Sequence, residues 1–545
     1  MALNKKSKGS VRRRREDREH EEHREKNAHT NWMGGPSYAV GNPLFNLRLA
    51  ASSCFFGEPM YYHKDKGAPR VEGLNRGMRN RLRKMLCAVD PQEWREYGPT
   101  KLMETAIDAA LDHDVESTLK IAAHLRNEDN IRTTPQVIMV RAAHHDKAGG
   151  TGLVRKYAPE IIKRADEPST QLAYQLSTYG RKKIPNSLKR SWRDRLQTYS
   201  EYQLAKYKMG SREVKTVDVM NLVHPKSDNI DRLARGELKL QKDTWEALIS
   251  EEGSNTKSWT QAVEVMGHMA LLRNLRNLIK HGVDPKLYAG KLVEGAAKGR
   301  QLPFRYLSAH QAIKDAAPPS VLDAVEESLE ISLGNLPHFA GRVMSLCDNS
   351  GSAQAAMTSS MGTMPINHIA NLTGVLTGRV SDEGWLGVFG DYYKTLPIRQ
   401  KASIFDQAGK ANTMGAMDPG ATEHGIWLFW DKAIKEREHW DHVFIYSDMQ
   451  AGHGGLYGRD TGEFSDFTWR GELMLTGGCA YIDVPKLIAE YRDRVNPDVN
   501  VYCVQVAGYQ NTIIPEFYHR TYILGGWSAG LLRFAAQMSA MNKNL

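Results

Sequence analysis

Asp348, Ser350 and Ser352 follow an apolar run, residues 343–347, and place one carboxylate and two hydroxyls on a short loop. A short continuous apolar run is typical of a buried parallel strand, and ligands of open α/β sheets bind at the carboxyl ends of strands. Hard divalent cations take oxygen ligands, and Mg²⁺ keeps several of its waters. The spacing therefore predicts a divalent cation site, with Mg²⁺ as the expected ion. Asp and Ser are also common turn residues, which is the alternative interpretation.

Two later segments supply further oxygen ligands. Residues 443–447 form a second apolar run, which leads directly into Asp448, and Thr422 precedes a predicted helix over 423–438. Taken singly, Thr422 is also a good helix N-cap and Asp448 a loop cap. Their order and their places at the ends of predicted elements favour the cation site.

The order Asp348-x-Ser350-x-Ser352, Thr422, Asp448 resembles the metal-ion-dependent adhesion site of von Willebrand A domains. The resemblance implies that Asp348, both serines and Thr422 surround the cation directly or through water, while Asp448 orients a coordinated water. It also implies one open coordination position for an oxygen from a partner. Gly420-Ala421-Thr422-Glu423 departs from the Gly-Gly-Thr-Asp that this family usually has at that point.

Positive charge is concentrated in the first 330 residues, which hold 56 Lys and Arg against 42 Asp and Glu. The remainder holds 17 against 21. A basic part of this kind predicts an anionic partner, most simply nucleic acid, with a solvated surface as the alternative. The basic candidates at one helix joint and on the helix after it are Arg181, Lys182, Lys183, Lys189, Arg190, Arg193 and Arg195.

Arg273 and Arg276 lie about one turn apart in an otherwise apolar helical pattern. This spacing predicts one inward-facing charge that needs RNA or a carboxylate as its partner. Trp192 and Tyr207 are expected in the core rather than as stacking platforms.

Length and composition set the organisation. A chain of 545 residues predicts two or three domains. No apolar run approaches the roughly 20 residues of a spanning helix, and the N-terminus lacks the apolar core of a signal peptide, so no membrane partner is expected. Five scattered cysteines without a CxxC spacing predict buried thiols and a reducing, cytoplasmic setting.

Hydrophobic periodicity divides the chain into three parts. Residues 1–37 form a basic arm expected to be disordered. Residues 38–330 carry short amphipathic helices, which predict a HEAT-like α-helical repeat solenoid, or an irregular all-helical domain. Residues 331–545 alternate strands and helices, which predicts a doubly wound, Rossmann-like von Willebrand A domain. The predicted helices include 101–112, 115–125, 135–144, 154–165, 170–179, 186–199, 214–222, 243–250, 258–280, 318–329, 365–377, 485–494 and 529–541, and the predicted strands are 342–347, 385–389, 442–447, 500–506 and 521–524.

Several local motifs together resemble the Ro autoantigen family, the TROVE-domain RNA-binding proteins. They are Asn46-Leu47-Arg48-Leu49 with Cys54-Phe55-Phe56-Gly57 and Tyr61-Tyr62, Ala270-Leu271-Leu272-Arg273-Asn274-Leu275, Lys206-Tyr207-Lys208 and Leu222-Val223-His224-Pro225-Lys226. The resemblance implies helical repeats closed into a ring, with Y RNA on the outer surface and single-stranded ends of misfolded RNA in the central hole. By matching position it puts forward Lys206, Lys208 and His224 as RNA-binding residues, with Arg212 and Lys226 as neighbours and Arg273 as a further candidate.

The expected function is therefore noncoding-RNA binding in ribonucleoprotein assembly and RNA quality control, not catalysis. No Walker loop, nucleophile elbow or paired-cysteine site speaks for an enzyme. The alternative is a cation-dependent adhesion or assembly module that uses the A domain. A ribonuclease or another protein is the expected partner at the open cation position.

Overall fold

The computed structural model describes residues 28–30, 36–39, 42–53, 99–129, 131–207, 214–238, 244–299, 301, 303–355, 365–390, 392–417, 426–447, 473–476, 479–506, 511–512, 520–525, 531–533, 535–536 and 539. These residues form two compact units. One consists of helices between residues 107 and 336; the other holds residues from 337 onwards together with N-terminal segments.

The helical unit is a succession of short helices, many of which pack on the next helix of the chain or on the next but one. Val115–Asn127, for example, contacts both Thr133–His144 and Leu153–Ile161. Stacked repeats show this pattern, because each helix pair buries its apolar face against its neighbours. The repeat prediction is confirmed, and Trp192 is fully buried as expected. The other helices are Pro99–His113, Glu167–Thr178, Asn186–Leu196, Glu201–Lys206, Thr216–Val223, Asp228–Ala234, Trp245–Glu252, Thr256–Val265, His268–Lys280, Pro285–Gly299, Pro303–Ile313 and Pro319–Leu333.

The single helix predicted over 258–280 is wrong. The structure has two helices, Thr256–Val265 and His268–Lys280, separated at Met266 and Gly267, where the backbone is extended. Glycine is a poor helix former, so a break there costs little. It lets the second helix begin with His268 packed against the helix Pro285–Gly299.

The second unit is built on a mostly parallel sheet of six strands, which confirms the predicted α/β fold class but adds one strand to the five predicted. After two short N-terminal strands, β1 (Ala28–Thr30) and β2 (Pro36–Ala39), the chain adds β3 (Phe339–Asp348), β4 (Ser381–Phe389), β5 (Tyr393–Pro397), β6 (His442–Ser447), β7 (Leu473–Thr476), β8 (Cys479–Ile482), β9 (Asn500–Gln505), β10 (Asn511–Thr512) and β11 (Thr521–Gly525). The order of the large sheet is β11-β9-β6-β3-β4-β5, and all pairs are parallel except β4 with β5. The helices described in this unit include Pro43–Ser53, Gly351–Ala355, Ile366–Arg379, Ile404–Met417, Trp427–Glu436 and Val484–Arg494.

An aromatic-rich core supports β3 and β6 at the centre of this sheet. Trp427, Trp430 and Trp440 are almost fully buried beside Met344 and Ile445. Cys347 and Cys503 are buried free thiols, as predicted, and burial raises the pKa of both. The strand β5 and the helix Ile404–Met417 had no counterpart among the predicted elements.

Part of the stretch expected to be a disordered arm is instead ordered. β1 and β2 pair antiparallel, and β10 adds to β2. Tyr38 of β2 is an aromatic residue of the kind that favours strands. None of the helices in the described parts of the chain is long and apolar enough to cross a bilayer.

Candidate functional site

The carboxyl edge of the large sheet brings Asp348 and Ser447 together. β3 and β6 are parallel neighbours with Cys347 opposite Tyr446, so the next residue of each strand faces the other at the edge. The Ser447 hydroxyl donates to Asp348 Oδ2 at 2.6 Å, and the Ser350 backbone N–H donates to Oδ1 at 2.9 Å. Asp348, Ser350 and Ser447 are all fully buried. The edge is thus a buried set of oxygen atoms.

An asparagine cluster holds the loop after β3. Asn349 and Asn371 exchange side-chain hydrogen bonds at 2.9 Å, Asn367 donates to Asn349 at 3.1 Å, and Asn371 donates to Asn412 at 2.8 Å. We call these four residues the asparagine cluster. Gly415 lets the helix Ile404–Met417 approach, since a Cβ there would lie 2.1 Å from Asn349 Oδ1. The loop carrying the predicted ligands is therefore fixed from two helices.

The oxygen donors at this edge fit a hard cation such as Mg²⁺ better than a soft one. The structure places Asp348 and Ser350 together, and Ser352 lies in the short helix Gly351–Ala355. Thr422 and Asp448 lie outside the described residues. Within the described parts of the chain, no group of three His, Cys, Asp or Glu side chains forms a metal site. Ser447 was missed because the sequence pattern assigned the ligand role to the next residue.

In the helical unit, Arg181, Lys182 and Lys183 form a basic joint between the helices Glu167–Thr178 and Asn186–Leu196. All three side chains are exposed. On the following helix Arg190 is also exposed, while Lys189 and Arg193 are half-buried. The predicted positive face therefore exists on the surface, centred on the joint.

A stacked aromatic pair, absent from the sequence-based prediction, anchors the basic joint. The His144 ring lies 3.7 Å from the Tyr179 ring at an interplanar angle of 11°. Gln175 contacts His144 Nε2 at 2.6 Å and donates to the Gly180 carbonyl at 3.1 Å. Burial lowers the pKa of His144, so the ring is neutral at physiological pH. The backbone leading into Arg181 is thereby tied to the helix Thr133–His144.

Two basic residues in the last turn of the helix Asn186–Leu196 make contacts within the helical unit. Arg193 Nε lies 3.6 Å from Asp194 Oδ1. Arg195 Nε donates to the Ile162 carbonyl at 2.9 Å, and its guanidinium lies 5.5 Å from the Tyr199 ring centroid. Arg195 is therefore a packing residue rather than a free cation for RNA.

Lys206 is half-buried and already engaged. It donates to Tyr202 Oη at 2.8 Å, and its Nζ lies 3.2 Å from Glu246 Oε1. Burial alone would lower the pKa of Lys206, but these hydrogen bonds outweigh it and raise the pKa. The ammonium group is thus charged and fixed in place. Lys208 and Arg212 lie outside the described residues.

His224 and Lys226 are both exposed. His224 ends the helix Thr216–Val223 in the left-handed conformation, with φ 47°. The Lys226 carbonyl accepts a hydrogen bond from Gln197 at 3.2 Å, which connects this turn to the helix of the basic joint. Both side chains are accessible to a ligand.

The inward-facing arginine predicted in the helix His268–Lys280 is wrong. Arg273 and Arg276 are both exposed, because the buried stripe runs through Leu271, Leu275 and Leu278. The buried polar residues of this helix are His268 and Asn274, and the Asn274 side chain donates to the Ala270 carbonyl at 2.9 Å. Arg273 remains a surface cation.

Comparison with known proteins supports the resemblance drawn from the sequence. Residues 232–320 match the TROVE domain. Curated relatives include telomerase protein component 1 of Rattus norvegicus, 26% identical over 141 residues, and that of Mus musculus, 28% identical over 113 residues. The matches cover 24% and 19% of this chain but only 5% and 4% of those proteins.

The fold resembles that of the Ro (RSR) protein of Deinococcus radiodurans in its crystal structure. The TM-score is 0.55 with 14% identity, covering 91% of this chain and 99% of the other. The likeness extends over both the helices and the large sheet and establishes a shared fold. The comparisons thus show a TROVE domain match over residues 232–320 and a fold shared with a Ro protein.

Proposed function

We propose that the chain binds a small structured noncoding RNA of the Y type and the single-stranded ends of misfolded RNAs. It would act in ribonucleoprotein assembly and RNA quality control, as a binding protein rather than a catalyst, in the cytoplasm. The TROVE domain match and the resemblance of the local motifs to the Ro family make RNA the expected ligand. The observation that carries the proposal is the exposed basic joint on its rigid aromatic support.

The physical argument is one of charge and rigidity. Phosphate contacts supply most of the affinity for RNA, and duplex RNA is gripped by shape and phosphates rather than by sequence. The joint presents Arg181, Lys182 and Lys183 within one turn of backbone. Because Gln175 and the His144–Tyr179 stack fix that turn, binding orders only the three side chains.

The test is a mobility-shift or anisotropy titration of the full chain with a structured small RNA across a salt series. We expect the logarithm of the affinity to fall linearly with the logarithm of the salt concentration. Weak binding in dilute buffer, or binding indifferent to salt, would contradict the proposal. Sequencing of RNA that copurifies with the chain would then identify the natural ligand.

We further propose that the sheet edge binds Mg²⁺ through Asp348, Ser350, Ser352, Thr422 and Asp448, with an open position for an oxygen of a ribonuclease or another protein. The fully buried Asp348 carboxylate, bonded by the neutral Ser447 hydroxyl, supports this proposal. Carboxylate and hydroxyl oxygens of this kind are the ligands that Mg²⁺ prefers. Isothermal titration of the chain with MgCl₂ tests it, and absence of heat and of thermal stabilisation would refute it.

A further inference from the structure

A cleft in the helical unit combines aromatic, apolar and charged side chains. It has a volume of about 590 Å³ and lies among the helices Glu201–Lys206, Trp245–Glu252, His268–Lys280 and Pro285–Gly299. This volume lies within the roughly 300–1,000 Å³ typical of small-ligand sites. The cleft is therefore suited to one small group rather than to a helix or a duplex.

One wall of the cleft is apolar and accessible. Val265 is 46% exposed and Met269 is 53% exposed, although both are large hydrophobic residues. Trp245 lies beside them and is backed by Trp259 at 6.3 Å, with 27° between the rings. Trp259 stacks in turn on His281 at 6.1 Å. The wall is a supported platform against which a planar ring can pack.

The floor of the cleft is preformed. His268 lies against Gly295 and Gly299, where an added Cβ would come within 2.8 and 2.4 Å of the histidine side chain. Its two ring nitrogens contact the Leu292 carbonyl and the Tyr306 hydroxyl, each at 2.8 Å. No rearrangement of these helices is needed to open the space.

Two ammonium groups and one carboxylate line the same cleft. Lys206 is held by Tyr202 and Glu246, and Lys298 is exposed at the end of the helix Pro285–Gly299. The cations suit phosphate. The carboxylate repels phosphate and can only accept hydrogen bonds, so it must face hydrogen-bond donors of the ligand. Since a carboxylate has about four lone-pair sites, Glu246 can keep Lys206 and still accept from a base.

We propose, building on the RNA-binding function above, that this cleft binds one unpaired nucleotide of the RNA and prefers guanosine. The base packs on Trp245 and Met269, the phosphate lies between Lys206 and Lys298, and Glu246 accepts from the base edge. Guanine alone presents two adjacent donors there, N1–H and the N2 amine. Adenine and cytosine present one amine each, and uracil a single N–H between two carbonyls. Bases of single-stranded RNA are read in this way, by stacking and by their Watson–Crick edges.

The experiment compares a short oligouridine with the same oligomer carrying one central guanosine, using anisotropy with the full chain. We expect the guanosine oligomer to bind about tenfold more tightly, the range of one good bidentate contact. Glu246→Gln should abolish this preference while Tyr202 still holds Lys206. Lys298→Ala should weaken both oligomers about threefold and reduce the salt slope by about 0.7.

Lys286→Ala is the matched control, because Lys286 is exposed on the same helix but twelve residues away from Lys298, about 18 Å along the axis. It should leave both affinities unchanged. Equal binding of the two oligomers, or a guanosine preference that survives Glu246→Gln, would overturn the cleft assignment while leaving RNA binding intact. Failure to bind both oligomers and the structured RNA would instead refute the proposed function.

Discussion

The sheet edge buries its charged group, whereas the basic joint exposes its charged groups to solvent. At the sheet edge the Asp348 carboxylate is fully buried and is bonded by a hydroxyl and a backbone amide. At the basic joint Arg181, Lys182 and Lys183 are exposed to solvent. Burying a charge is costly unless it is well bonded, whereas an exposed cation costs almost nothing.

The difference indicates two kinds of ligand. A buried, prearranged set of oxygens suits a small cation that sheds part of its water. An exposed cluster of cations suits a polyanion whose position is set by many weak phosphate contacts. The proposed nucleotide cleft is intermediate in the burial of its charged groups, because Lys206 is half-buried and fixed while Lys298 is exposed.

A substitution in the asparagine cluster should have the largest effect, a loss of stability. Replacing Asn371 by Leu removes two hydrogen bonds with the buried Asn349 side chain and one with Asn412. Losing these three hydrogen bonds should lower the free energy of unfolding by about 3 kcal/mol. Urea denaturation measures it. The control, Asn221→Leu on an exposed helix position, should change stability by less than about 0.5 kcal/mol. Similar losses in both variants would show that the cluster is not what fixes the loop.

Asp348→Asn tests the buried side of the comparison. At a Mg²⁺ concentration of about one hundred times Kd, the wild-type chain should gain about 2.7 kcal/mol of stability. The variant should gain none, because a neutral amide is a poor ligand for Mg²⁺, and its RNA affinity should be unchanged. Thermal unfolding with and without MgCl₂ measures the stability gain of the wild type and of the variant, and an RNA titration measures the affinity. Asp406→Asn, an exposed residue of the helix Ile404–Met417, removes the same charge and should keep the Mg²⁺ effect. Loss of RNA affinity in a folded Asp348→Asn chain would contradict the separation of the two sites.

The basic joint should show a smaller energetic effect. Changing Arg181, Lys182 and Lys183 together to Gln should lower the affinity for structured RNA about tenfold. The salt dependence of the affinity should become shallower by up to about 2.7, since each phosphate contact contributes about 0.9 to its slope. Changing Arg399, Lys401 and Lys410 to Gln removes the same charge from exposed positions of the sheet unit. If both triple variants weaken RNA equally, net charge rather than the joint determines binding.

The sequence was most informative where burial is continuous. The strand β6 has the predicted bounds, 442–447, because an uninterrupted apolar run fits a strand buried on both faces. The helix Ile404–Met417 was not predicted, since two of its residues are glycine and its apolar stripe is weak. Yet this helix supplies Asn412 to the asparagine cluster. Tertiary packing determines it more than local propensity does.

Of the candidate site, the sequence identified Asp348 and Ser350 but not Ser447. The end of an apolar run shows where a strand ends. It does not show which side chain turns towards the neighbouring strand. The error at Arg273 had a different cause. Residues three apart share a helix face, so Arg273 and Arg276 are exposed together, and the prediction that one of them faces inward was wrong. Positions 271, 275 and 278 define the buried stripe and exclude both arginines.

The smallest expected effect concerns His268, which shows that the helical unit also buries titratable groups. Burial lowers the pKa of His268 below its usual 6.5. The unfolded chain then binds more protons than the folded one below about pH 6.5, so stability is complete above that pH and falls as the pH decreases. Between pH 7.5 and 5.5 this residue should therefore lower the stability by less than about 1.4 kcal/mol, the equivalent of one pH unit below the unfolded pKa. His268→Gln should be less stable at both pH values, since it disturbs the contacts with Leu292 and Tyr306, but it should lose less on acidification. His113→Gln, at an exposed histidine position of the same unit, is the matched control. If the His268 variant and the wild type lose the same stability, protonation of His268 is not coupled to unfolding.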